Sequence, residues 1–150
     1  MRAWEFSGTP FEIDASKKWA GFVYCITNEV DGRRYIGRKY LTSKRKGKRA
    51  VESDWRGYCG SSEELLADIA ALGAENFKRE IISLHRTRGA VNYAEMEIQY
   101  QLDCVHIPSF YNRSIGGKFN RLNTKEFEVS SQWEAFQGKW ALRNAIPLSA

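Results

Sequence analysis

Residues 21–38, GFVYCITNEVDGRRYIGR, constrain the fold more than any other stretch of the chain. Phe22, Tyr24 and Ile26 alternate with Val23, Cys25 and Thr27, which is the period-two pattern of a strand over 20–28. Asp31-Gly32 then offers a turn, because Asp-Gly accommodates the positive φ values that tight hairpins require. Residues 33–39 return as a second strand carrying Tyr35, Ile36 and Gly37. Whether Tyr24 and Tyr35 share a face depends on a register that the sequence leaves open.

The second strand runs into the most basic part of the chain. Between Arg33 and Arg56 lie ten Lys or Arg residues against Glu52 and Asp54, a surplus of +8 that leaves −3 for the remainder of a chain whose net charge is +5. A local positive field on a nearly balanced body fits a polyanion-binding face, and nucleic acid is the commonest polyanion. Residues 40–60 are too polar to be core and read as a long functional or mobile loop.

Beyond that loop, Ser61 and Glu64 have capping-box spacing ahead of Leu65, Leu66, Ile69 and Leu72, with Gly73 as a stop, so a helix is predicted there. Residues 77–84, FKREIISL, read as a third strand whose natural partner is the hairpin. Asn92 and Glu95 form a second capping box for a helix ending near Cys104. Residues 119–129 are ambiguous between strand and coil. A last helix is predicted from Ser131, placing Trp133, Phe136 and Trp140 on one face. Upstream, residues 1–18 show no sustained period and read as an irregular arm, with Trp4, Phe6 and Phe11 tucked against the domain.

These elements predict an α+β fold: a small three-stranded antiparallel sheet flanked by helices. The division expected is an arm at 1–18, a domain at 19–115 and an extension at 116–150. A length of 150 residues, 43% hydrophobic and 13% aromatic, suits one folded domain and excludes a disordered chain. Three dispersed cysteines argue against a secreted disulfide framework, and neither a signal-like start nor a membrane-length apolar run is present. A cytoplasmic protein with no membrane partner is expected.

His85 and His106 lie at no metal-ligand spacing, and no GxSxG or glycine-rich phosphate loop precedes a helix. A catalytic apparatus would have to be built from Tyr, Arg, Lys, Glu and Asn. The pairing of Gly21-Phe22-Val23-Tyr24 with Tyr35-Ile36-Gly37 resembles the signature of the GIY-YIG nucleases. Arg45, eight positions past Gly37, Glu97 on a later helix and Asn112 in a Tyr-Asn pair follow in family order. ESDWRGYCGSSEELLADI and NFKREI look like phage-encoded members of the Seg type. The resemblance covers roughly residues 19–115.

The resemblance implies a metal-dependent endonuclease on double-stranded DNA, without a nucleotide cofactor, acting as a monomer or weak dimer in the (host) cytoplasm. Tyr24 would accept or relay the proton of the attacking water, with positive charge from the basic loop favouring its phenolate. Tyr35 would orient the water or the phosphate, and Gly37 would let the phosphate backbone approach closely. Arg45, with Arg38 as the alternative, would offer a planar fork to two phosphate oxygens. Glu97 would bind one Mg²⁺ or Mn²⁺; Glu95 competes but already has a role as the partner of the Asn92 cap. Asn112 would orient the helix or hold the glutamate. Arg38, Lys39, Lys44, Lys46, Lys48, Arg49, Arg56 and Tyr58 are the expected DNA contacts.

Overall fold

The computed structural model describes residues 1–44, 46–117, 119–120 and 132. The predicted hairpin is its centre. Strands β3 (Gly21–Asn28) and β4 (Arg34–Tyr40) pair antiparallel with Tyr24 opposite Gly37 and Ile26 opposite Tyr35. That register resolves the open question: Tyr24 and Tyr35 share a face, with ring centroids 6.1 Å apart. The connection is wider than a two-residue turn. Asn28 N–H donates to the Arg33 carbonyl, the Asn28 side chain accepts from Val30 N, and Gly32 takes the positive φ of +82°.

The sheet differs from the three-stranded antiparallel expectation. It has five strands in the order β2 (Thr9–Pro10), β1 (Trp4–Phe6), β7 (Phe77–His85), β3, β4, and β1 runs parallel to β7. The N-terminal residues read as an irregular arm thus form one edge of the sheet. Their recruitment follows from Trp4, which is buried edge-to-face against Phe22 and Tyr24 at 5.2 and 5.0 Å and donates its indole N–H to the Trp55 carbonyl at 2.8 Å. A three-residue strand shows too little alternation to be recognised by period.

Two helices cover the two faces. Helix α1 (Glu63–Leu72) places Leu65 in the cluster of Phe22, Tyr24, Ile26, Trp55 and Phe77. Its cap is Ser62, one residue later than expected, and Gly73 ends it as predicted. Helix α2 (Arg88–Gln101) packs Ala94 and Ile98 on the opposite face, against Val23, Ile36 and Cys25. It begins five residues earlier than the Asn92 reading, because Thr87 caps it by accepting from Ala90 N at 3.1 Å. Asn92 instead accepts a hydrogen bond from the Tyr40 hydroxyl, at 2.5 Å.

The polar stretch after β4 is a small hairpin, β5 (Thr42–Ser43) with β6 (Val51–Glu52), carrying the basic residues at its tip. Its base is not solvent: Leu41 and Trp55 are buried in the core. A further hairpin joins β8 (Ser114–Ile115) to β9 (Phe119–Asn120) through Gly116-Gly117. The helix predicted from Ser131 lies outside the described residues. Among the described residues no helix is long and apolar enough to cross a membrane.

Candidate active site

Strand β4 is the edge of the sheet, and its two halves are treated differently. The first half is closed by residues 109–112. Arg34 N donates to the Ser109 carbonyl, Tyr111 N donates to the Arg34 carbonyl, and the Asn112 side chain then takes over the role of a strand. Its Oδ1 accepts from Ile36 N at 2.9 Å and its Nδ2 donates to the Ile36 carbonyl at 2.8 Å. Gln99 Nε2 donates to the same carbonyl at 3.1 Å. Asn112 therefore finishes the backbone pairing of β4, and a buried amide with both ends satisfied is held firmly.

Past Ile36 the edge opens into two adjoining cavities of about 460 and 660 Å³. Tyr35, Arg38, Ser61 and Glu95 line both of them, while Tyr24, Lys39 and Tyr58 line the first. Alternation along β4 explains how two faces supply one site. Tyr24, Tyr35 and Lys39 share the α1 face; Arg38 lies on the α2 face beside Glu95. They meet around the open edge.

Gly37 makes this meeting possible. A Cβ built there would stand 2.6 Å from Tyr24 Cζ, closer still to its hydroxyl oxygen, and 3.0 Å from Tyr35 Cε1. The missing side chain admits the Tyr24 ring, a use of glycine that lies within the protein itself. The Tyr24 phenol is 1% exposed. Burial, aided by the neighbouring Tyr35 and Tyr58, drives its pKa well above 10.0, the opposite of the depression expected from the basic loop. Tyr35 is raised as well, mainly by burial, and its hydroxyl lies 3.1 Å from Ser61 Oγ.

The two candidate glutamates are now separated. Glu97 is exposed and lines neither cavity. Glu95 is 9% exposed and lines both, and Arg38 Nη1 donates to its Oε2. The competing job assigned to Glu95 disappears, because Thr87 and not Asn92 caps the helix. Periodicity had no means of finding this without the correct helix start.

A family model described as putative endonuclease segE, GIY-YIG domain, matches residues 4–115. The chain belongs to the GIY-YIG endonuclease family. Membership implies a nuclease, for which DNA is the substrate suggested. The match begins at Trp4, so it includes the parallel β1 strand that the hairpin motifs do not reach. No curated protein and no solved structure matches the chain.

Carboxylates and hydroxyls line the GIY-YIG cleft, with Glu95 in both cavities, Asp54 in the first, and Glu63 and Glu64 in the second. Among the described residues no group of three or more His, Cys, Asp or Glu side chains could cage a metal. Glu95, which lines both cavities together with Tyr35 and Ser61, is a carboxylate of the kind that suits a hard divalent cation keeping most of its waters. It does not suit zinc, which prefers thiolates and imidazoles.

Apart from Arg38 and Tyr58, which line the cleft, the expected DNA contacts divide into two groups. Lys44, Lys46, Lys48 and Arg49 are exposed on the β5–β6 hairpin tip. Lys39 and Arg56 are already paired: Lys39 Nζ donates to Asp54 at 2.6 Å, and Arg56 donates to Glu12 and Glu52 while lying over Trp55. Arg45 lies outside the described residues. Arg88 was missed by sequence reasoning because Gly89 masked the helix start. It lines the first cavity, lies 4.4 Å over the Tyr40 ring and donates to the Thr42 carbonyl at 2.7 Å.

Proposed function

We propose that this protein is an endonuclease that hydrolyses phosphodiester bonds of double-stranded DNA with one Mg²⁺ or Mn²⁺ ion, leaving 5′-phosphate and 3′-hydroxyl ends. The observation that carries the reading is the convergence of Tyr24, Tyr35, Arg38 and Glu95 on one open cleft at the free half of β4. Glu95, rather than Glu97, is the residue assigned to the metal. A divalent ion held there would supply positive charge to offset the negative charge growing on the phosphoryl oxygens.

The chain's own groups supply the rest. Arg38 has guanidinium donors beyond the one on Glu95 and presents them to a phosphate oxygen from within the cleft. Tyr35, held by Ser61, orients the attacking water or the phosphate. Tyr24 receives the water's proton. The exposed hairpin tip grips the flanking backbone through Lys44, Lys46, Lys48 and Arg49, a contribution that weakens with salt.

Supercoiled plasmid incubated with Mg²⁺ or Mn²⁺ tests the reading. Nicked or linear product, abolished by EDTA, is the expected outcome. Plasmid that stays supercoiled across both metals contradicts it; salt-sensitive binding without cutting would leave a nucleic-acid-binding module in its place.

A further inference from the structure

Tyr24 presents a chemical difficulty that its surroundings resolve. Its phenol is 1% exposed, and a phenolate formed there would be a buried charge with two tyrosines as neighbours. A group in that position accepts a proton easily only if it gives one up at the same moment. The Tyr24 and Tyr58 rings stand edge-on with centroids 6.2 Å apart, and both side chains line the first cavity. Tyr58 is only half-buried.

Tyr58 is also unusually well fixed for a residue of a polar connection. Its carbonyl accepts from Arg79 Nη1 at 2.9 Å, and the same nitrogen holds the Arg56 carbonyl at 3.0 Å. Arg79 is 2% exposed, so this anchor is part of the core. Lys39 Nζ lies 3.8 Å from the centre of the Tyr58 ring and is kept there by Asp54. A cation at that place is attracted to the face of the ring and helps hold it in position.

We propose that Tyr58 is the outer half of a two-tyrosine proton relay, a positioning residue that takes the Tyr24 proton as Tyr24 accepts one from the attacking water. This rests on the endonuclease reading with Tyr24 as proton acceptor. An O–H bond of the water breaks as its oxygen bonds to phosphorus; that proton goes to Tyr24, the Tyr24 proton to Tyr58, and the Tyr58 proton to solvent. The bond from phosphorus to the 3′ oxygen breaks, and that oxygen keeps the electron pair and takes a proton from solvent. Tyr24 carries no net charge at any stage.

Three variants of the full chain test the relay in the plasmid assay. Tyr58→Phe keeps the ring and loses the hydroxyl. It is expected to cut at least about tenfold more slowly at saturating DNA, as loss of an acid–base group does, with plasmid affinity unchanged. Tyr58→His restores a proton carrier, with an ordinary pKa of about 6.5 against about 10 for tyrosine, and is expected to recover cutting with its pH profile displaced to lower pH. Tyr58→Ala has the same chemical defect as Phe, and its thermal melt reports any loss of fold. Wild-type cutting matched by Tyr58→Phe at every pH overturns the relay alone and leaves Tyr58 as a stacking surface. Wild-type protein that leaves plasmid intact overturns the endonuclease reading, and the relay with it.

Discussion

Gly37 shows how much one residue decides. Adding a methyl group forces a Cβ into the Tyr24 phenol, which is itself locked by Trp4 and Phe22. Gly37→Ala is therefore expected to cost about 1–3 kcal/mol by overpacking and to displace the Tyr24 hydroxyl. The measurement is a denaturation midpoint alongside plasmid cutting: both should fall, and cutting at the wild-type rate would show that Tyr24 need not sit there. The sequence singled out Gly37 but not the packing role it has here. The close approach it permits is to Tyr24, and that depends on the cross-strand register that a two-residue period cannot specify. Asn112 is similar. Its place in a Tyr-Asn pair was visible, but its two hydrogen bonds to Ile36 arise from a segment 76 positions away.

At the scale of elements, the hairpin, α1 and β7 were legible because each announces itself locally: alternation, a capping serine with a glycine stop, and a β-branched run. Strand β1 and the start of α2 were not. Three residues carry no period, and Gly89 beside Thr87 looked like a turn although a glycine in the first turn of a helix is tolerated. The helix start bears on the site, since the Asn92 cap was one reason for preferring Glu97. Strand β1 is a working part of the sheet, so Trp4→Ala is expected to cost about 3–5 kcal/mol, measured by urea unfolding. A loss below about 1 kcal/mol would mean that the N-terminal edge is ornamental to the core. The Trp4 indole also holds the Trp55 carbonyl, three residues before Tyr58. Loosening that edge is expected to slow cutting as well.

For the molecule as a whole, buried acidic protons set the pH response. Burial pushes the Cys104 thiol from 9.0 up to about 12, and pushes Tyr111 from 10.0 up to about 12. Below pH 9 folded and unfolded chains both hold these protons, and the contribution to stability is fully present. As pH rises from about 9 to about 12 the unfolded chain releases them first, so unfolding is favoured and stability falls. The urea midpoint should be lower at pH 11 than at pH 8, and Cys104→Ala should flatten the lower part of that fall. A midpoint unchanged or raised at pH 11 contradicts the burial of these groups. The charge distribution was legible at this scale from the sequence, because a surplus of +8 in one window needs no fold to be seen. How it is split, between exposed residues on a hairpin tip and side chains already paired with carboxylates, required the structure.

The claim that joins these scales is that the cleft at the free half of β4 is the catalytic centre and Glu95 its metal-binding carboxylate. Supercoiled plasmid cleavage in Mg²⁺ by wild type, Glu95→Ala and Glu97→Ala, compared side by side, tests it most directly. Wild type and Glu97→Ala should nick or linearise the plasmid, and Glu95→Ala should leave it supercoiled. Cutting by Glu95→Ala at the wild-type rate, or loss of cutting in Glu97→Ala alone, would contradict it.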